Sequence, residues 1–228
     1  MTPFIRHAIP SGDIRLLNVP CASAVFNEIF IEDCYRFDEI PVGSIILDIG
    51  GFYGEFGIRC HAEKRCKVMI FEPSFETFKI LELNVELNRL SNDLLPIWSA
   101  IGSANEKRKF SYRKDHPAGS MFDLDGQEVP CVTLRSQIDV VRRMWGDLPI
   151  CVKMDCEGAE KEIFESDQSW MDDVDLITME WHNYDGDYYA SFLEKKGFKV
   201  ELEGGGPKPR PKWDKTIGGG LLFAKKGN

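Results

Sequence analysis

Apolar residues along this chain fall into two alternating kinds of pattern. Short, nearly unbroken runs at Ile45–Ile49 (IILDI), Lys67–Phe71 (KVMIF), Leu94–Trp98, Leu148–Asp155 (LPICVKMD) and Val174–Trp181 (VDLITMEW) read as strands buried on both faces. Between them, apolar positions recur every three or four residues. That spacing predicts helices over Glu55–His61, over Phe75–Asn88 with Ser74 as N-cap, over Ser136–Trp145 and over Tyr188–Lys196. Another helix is expected to begin in CEGAEKEIF directly after Asp155. It carries Glu157, Glu160 and Glu162 in its early turns, where the helix dipole favours negative charge. Two extended segments, Phe198–Glu203 and Gly220–Lys225, close the pattern and are joined by a Gly- and Pro-rich loop rather than a helix. The alternation predicts an α/β fold with a mostly parallel sheet and an antiparallel last strand.

Two stretches stand outside this rhythm. Phe110–Lys114 and Glu128–Thr133 read as a hairpin-like excursion around the loop DHPAGSMF. Near the start, Ala24–Tyr35 sets Val25, Phe26, Ile29, Phe30 and Ile31 against Glu28, Glu32 and Asp33 at helical spacing, which predicts an amphipathic helix. The chain divides into an N-terminal cap or lid segment, residues 1–44, and one domain over residues 45–228. Tyr35 reads first as a packed tyrosine and second as a ligand contact.

The first run leads into the densest chemistry. Asp48, Gly50, Gly51, Phe52, Tyr53 and Gly54 join a buried strand to a helix amino terminus, the arrangement of a nucleotide site. A dinucleotide fingerprint, G-x-G-x-x-G, requires glycine at position 52 because a pyrophosphate needs close backbone approach. Phe52 stands there instead. The turn therefore suits a nucleoside ligand without a pyrophosphate, such as S-adenosylmethionine, with Asp48 meeting its charged or polar groups.

Glu72, followed by Pro73, closes the second run 24 residues after Asp48, near the offset of an acid that accepts hydrogen bonds from ribose. Ser99 and Ala100 end the third run with small side chains that leave room for a flat base. Asp155 and Glu180 end two further runs, and His182 follows. In a parallel sheet these ends line one crevice. Asp48 and Glu72 are thus expected to hold a nucleoside, while Asp155, Glu157, Glu180 and His182 surround whatever sits beside it.

Composition narrows the ligand. The 228 residues, 43% of them hydrophobic, suit one domain with a full core. A formal net charge of -9 works against nucleic acid and anionic membrane, which need clustered Lys and Arg, and leaves a small-molecule or saccharide acceptor. Seven cysteines, odd in number and without a C-x-x-C pair, suggest reduced thiols rather than disulfides or zinc. No apolar run reaches the length of a membrane span or signal segment, so the expected location is the cytoplasm.

Several motifs in register resemble the FkbM family of S-adenosylmethionine-dependent methyltransferases over roughly residues 45 to 182. They are DIGGFYG at 48–54, FEP at 71–73, NVELN at 84–88, SAIG at 99–102, AGS at 118–120, VTL at 132–134, KMDCEGAE at 153–160 and EWH at 180–182. The resemblance implies the Rossmann-like class I methyltransferase fold. It also implies methyl transfer, usually to a hydroxyl oxygen of a sugar or secondary metabolite. Carried onto this chain, it assigns Asp48, Gly50 and Gly54 to the cofactor turn, Glu72 to the ribose, Ser99 and Ala100 to the adenine border, and Asp155 to the methionine end or acceptor. Phe52 replaces the family's usual Asn, and Arg135 its usual Asp.

A sulfonium is already electrophilic, so the protein has chiefly to align the acceptor and remove a proton. His182, with a reference pKa of about 6.5 and Glu180 placed to orient it, is the first base candidate, and Asp155 and Glu157 are the next. The same four residues offer oxygen-rich ligands for a divalent cation, a reading ranked below metal-free catalysis. Lys208, Arg210, Lys212, Trp213 and Lys215 read as a solvated basic loop before an acceptor site. A nicotinamide-dependent oxidoreductase and a non-catalytic binding module of the same fold are the alternatives.

Overall fold

A computed structural model describes residues 3–10, 12–90, 93–112, 119–120, 126–182, 186–204 and 219–227. The basic loop, and the DHPAGSMF loop apart from residues 119–120, lie outside the described residues.

The described chain opens with an antiparallel hairpin of β1 (Phe4–Ile9) and β2 (Gly12–Leu17). Helix α1 (Ala22–Phe26) continues into a π-helical turn over Asn27–Ile31, and a 3-10 turn spans Phe37–Glu39. The alternation then follows: β3 (Ile45–Ile49), α2 (Glu55–Lys64), β4 (Lys67–Phe71), α3 (Phe75–Leu87) and β5 (Leu94–Ile97). The excursion comprises β6 (Ala100–Gly102), β7 (Glu106–Tyr112), β8 (Gly119–Ser120) and β9 (Gln127–Thr133). After it come α4 (Leu134–Trp145), β10 (Ile150–Met154), α5 (Glu160–Glu165), β11 (Leu176–His182), α6 (Gly186–Lys195), β12 (Phe198–Gly204) and β13 (Gly219–Lys226).

The main sheet has the order β12-β13-β11-β10-β3-β4-β5. Neighbours from β11 to β5 pair in parallel, and β13 runs antiparallel between β11 and β12. The sheet is therefore the expected one, with only its last strand reversed. Both faces are covered, which is why IILDI and ICVKM are buried at every position. Ile45, Leu47 and Ile49 pack with Ile138 and Val141 of α4, Phe164 of α5 and Leu193 of α6. On the other face Ile46, Val68 and Ile70 pack with Phe56 of α2 and Leu81 of α3, and with Ile14, Ile29 and Phe30 of the N-terminal segment.

The N-terminal segment differs from its expected form. Its helical stretch ends at Ile31 rather than Tyr35, because Asp33 and Arg36 take positive φ (52° and 49°) and turn the chain. Its hairpin, unforeseen in the sequence, is fastened to α3 by the asparagines of NVELN. Leu17 N donates to Asn84 Oδ1 (2.8 Å), and Arg15 N to Asn88 Oδ1 (2.7 Å). Arg36 reaches across to Glu201 (2.7 Å) and Glu203 of β12 and covers the Phe223 ring at 3.7 Å.

Two helix starts also shift. Thr133 caps α4, its hydroxyl accepting from Ser136 N, so the helix begins at Leu134. Glu157 does not lie in a helix. It sits in a tight turn with φ 54°, next to Gly158 at 106°, and α5 begins at Glu160. All seven cysteines are free thiols. No helix among the described residues is long and apolar enough to cross a membrane.

Candidate active site

The turn between β3 and α2 is held from several sides by its neighbours. Gly50 and Gly51 donate their N–H groups to Phe71 O, each at 3.0 Å, and Gly54 N donates to Gly51 O at 2.8 Å. Gly50 has φ 71°, and a Cβ there would lie 1.8 Å from the carbonyl oxygen of Asp155. Only glycine lets β3 and the end of β10 come this close. Phe52 adopts φ 49° and donates its N–H to Glu72 Oε2 (3.1 Å), while Ser74 N donates to Glu72 Oε1 (2.8 Å). Asn84 Nδ2 donates to Tyr53 O (2.9 Å), and the Tyr53 hydroxyl donates to Pro20 O (3.1 Å). Burial pushes the Glu72 carboxyl up to about 8 against the opposing pull of these amides.

Below the turn lies a pair that sequence reasoning did not assemble. Asp48 is 0% exposed and sits beneath the loop rather than at its open side. Directly opposite in register on β10 is Lys153, 5% exposed. Its Nζ donates to Gly50 O (2.8 Å) and lies 3.4 Å from Asp48 Oδ1 and 3.8 Å from Asp155 Oδ2. The charges of Asp48 and Asp155 keep this amine protonated against its own burial. Tyr35 closes the group, its ring centroid 5.2 Å from Lys153 Nζ and its hydroxyl donating to Asp155 Oδ2 (2.9 Å).

Beside Asp155, the expected acids and histidine do converge. His182 is 6% exposed, and its Nδ1 lies 3.0 Å from Glu160 Oε1. Its Nε2 lies 3.6 Å from Glu157 Oε2 and 3.8 Å from Glu180 Oε1. The residue that orients the ring is therefore Glu160, 0% exposed and further held by Cys156 N (3.2 Å), rather than Glu180. Burial opposes charge on the imidazole, but the bond to Glu160 and the charges of Asp155 and Glu157 outweigh it and lift His182 to about 10. The ring is a cation at neutral pH, not the free base its reference value suggests. Glu157 is pushed up to about 7 by burial, with His182 opposing and Asp155, Glu180 and Glu160 adding to the rise.

Beyond the carboxyl end of β5 Ser99 is buried, its hydroxyl donating to Ala100 O and Pro130 O, each at 3.0 Å. Trp98 Nε1 donates to Pro73 O (2.9 Å), and Glu72 N to Ile97 O (3.1 Å), so Pro73, Ser99 and Ala100 flank Glu72. Arg135 is engaged elsewhere, with Asp139 and with Asp173 before the amino end of β11. The residues missed in the sequence are Lys153, Glu160 in its pairing role, and Asn84. Lys153 was legible as a lone cation within a fully apolar strand.

A sequence profile described as the Methyltransferase FkbM domain matches residues 48–200, two thirds of the chain, from Asp48 into β12. The chain belongs to the FkbM methyltransferase family. Within reach of it, "Methyltransferase 1" of Beauveria bassiana (strain ARSEF 2860) is 28% identical over 216 residues, covering 83% of each protein. "Methyltransferase sdnD" of Sordaria araneosa is 22% identical over 214 residues, covering 78% of this chain and 83% of the relative. An rRNA methylase structure from Streptococcus thermophilus shares the fold, with a TM-score of 0.52 at 12% identity, over 88% of this chain and 96% of that one. Membership in the FkbM family makes the protein a methyltransferase and sets aside the nicotinamide oxidoreductase reading.

Proposed function

We propose that this FkbM methyltransferase takes its methyl group from S-adenosylmethionine and places it on a hydroxyl oxygen of a sugar or small secondary metabolite. The observation that carries the reading is the placement of two residue groups side by side at the carboxyl ends of the parallel strands, the two halves of one proposed crevice. The glycine turn and Glu72 occupy one half, and Asp155, Glu157 and His182 the other.

The first half fits a cationic nucleoside. Asp48, whose nearest cation is Lys153 at 3.4 Å, and Glu55 are buried carboxylates. Burial lifts Glu55, like Glu72, to about 8. Acids held close to neutral in this way gain most from a ligand that brings positive charge. Glu72 keeps lone pairs free beyond those used by Phe52 and Ser74, and these would accept from ribose hydroxyls. Gly50, Gly51 and Gly54 let the turn pack closely on Asp155 O, Ile70 and Leu81, Pro73, Ser99 and Ala100 would border the adenine, and Asp48 with Lys153 fixes the turn from below. When bound, the cofactor supplies an electrophilic methyl group on a sulfonium.

The second half positions and deprotonates the acceptor. Asp155, fixed by Tyr35, aligns the acceptor oxygen. Because His182 is held as an imidazolium by Glu160, the base role passes to Glu157, whose carboxyl titrates near neutrality and takes the hydroxyl proton. The net charge of -9 supports a small acceptor over nucleic acid.

Titration calorimetry tests the cofactor assignment. S-adenosylhomocysteine should bind and NAD should not, and Glu72→Ala should weaken binding by about 1.5–3 kcal/mol, roughly 10- to 100-fold. Binding of NAD alone would overturn it. Turnover on a panel of hydroxylated sugars and metabolites then tests the acceptor class.

A further inference from the structure

We infer that Asp155, Glu157 and His182 form a site for a hard divalent cation, Mg2+ or Mn2+, in the acceptor half of the crevice. One ligand atom from each residue lies within 4.8 Å of the others. A single cation bonded at about 2.1–2.4 Å reaches all three after shifts of a few tenths of an ångström.

The setting of the imidazole gives a second indication. The His182 side chain is 93% buried, and its Nδ1 is taken by Glu160. Its Nε2 points at Glu157 and Glu180 across 3.6 and 3.8 Å, too far for a hydrogen bond, and has no closer partner among the described residues. A buried carboxylate on one ring nitrogen, with the other nitrogen facing an oxygen-rich group, is the outer support by which proteins orient a metal-bound histidine. Glu160 is fully enclosed and fixed by Cys156 N, so the ring has little freedom to turn away.

Charge balance agrees. Asp155, Glu157, Glu160 and Glu180 gather around the ring, Glu28 adds to their field, and Lys153 faces the group from the side of Asp155 and Glu28. Around the ring the carboxylates outnumber the cations His182 and Lys153, and a sulfonium in the other half does not change that count. Two carboxylates with one imidazole suit Mg2+ or Mn2+ better than the thiolate-seeking metals. Glu157 stands in a left-handed turn, φ 54°, a strained placement that aims its carboxylate at the ring.

The cation's role rests on the proposed methyl transfer: it binds the acceptor hydroxyl oxygen and acidifies it, and the released proton passes to the second oxygen of Glu157. Occupancy of the site does not depend on that reaction. On binding, the metal displaces the proton from Nε2.

The test uses the full chain, freed of metal by a chelator, desalted and without cofactor. Mn2+ is titrated in while the electron paramagnetic resonance signal of free Mn2+ is followed. About one Mn2+ per chain should be silenced, and Asp155→Asn and His182→Ala should each weaken binding about tenfold or more. If His182→Ala fails to give the parental circular dichroism spectrum, Glu157→Gln, at a partly exposed position, serves in its place. A free-Mn2+ signal that rises in full from the first addition overturns the site, as does equal binding by parent and variants. Calorimetry with S-adenosylhomocysteine on the same metal-free sample separates the two readings. Binding there with no Mn2+ uptake removes the cation and leaves the methyl-donor assignment standing.

Discussion

Lys153 Nζ lies 2.8 Å from the carbonyl oxygen of Gly50 while standing opposite Asp48 in the β3–β10 register. One buried amine thus ties a strand, the glycine turn and the acid beneath it. Lys153→Met keeps the bulk of the side chain and removes its charge, leaving Asp48 buried without a cationic partner. A loss of about 3–5 kcal/mol is expected in urea unfolding, with much of it recovered when Asp48→Asn is added. Parental stability of the single variant would count against the pairing.

Gly50 and Gly43 share a left-handed backbone, φ 71° and 76°, but only Gly50 faces main-chain atoms at close range. Gly43→Ala should cost about 1–2 kcal/mol for the backbone conformation alone, whereas Gly50→Ala should cost at least twice as much, because the Asp155 carbonyl cannot yield. Thermal melts of the two variants side by side check this difference.

Asn84 accepts from Leu17 N and donates to Tyr53 O, and Asn88 serves the hairpin at Arg15. Asn84→Leu should therefore destabilise the protein by about 1–3 kcal/mol per abandoned buried group and also weaken S-adenosylhomocysteine binding. Asn88→Ala should lower stability while leaving affinity unchanged. Equal affinity for all three proteins would show that the turn does not depend on Asn84.

Glu55 and Glu72 both titrate near 8 in the folded chain against an ordinary value of 4.5. Because the folded pKa is the higher, the stability they contribute is complete below the unfolded value and is lost as pH rises through 8. The ligand-free protein should lose about 1.4 kcal/mol per carboxyl between pH 7 and 9. Glu55→Gln should remove one such share, and denaturation curves at the two pH values measure it. A parental slope in Glu55→Gln would refute the assignment.

The sheet was legible in the sequence because both its faces are buried, so each parallel strand announced itself as an apolar run. The tight turn after β3 was legible because glycine spacing reports backbone approach directly. Glu157 was read into a helix because an acid-rich EGAEKEIF satisfies helix-start preferences, and the tight turn at Glu157 and Gly158 overrides them. The opening hairpin escaped notice because Arg6, His7 and Arg15 dilute the alternation in its short strands. Glu160 counted only as a dipole-friendly acid, since its bond to His182 spans 22 residues of sequence and exists only once β11 lies beside β10.

The position of β13 bears on how the enzyme is made. The last described strand to leave the ribosome is an interior one, wedged between β11 and β12, and its Gly219 and Leu221 pair with His182 and Glu180. A product shortened before Gly219 would leave β11 as a bare edge, with Glu180 and His182 unsupported and its amides open to other chains. Such fragments are poor candidates for residual activity and good ones for aggregation or degradation.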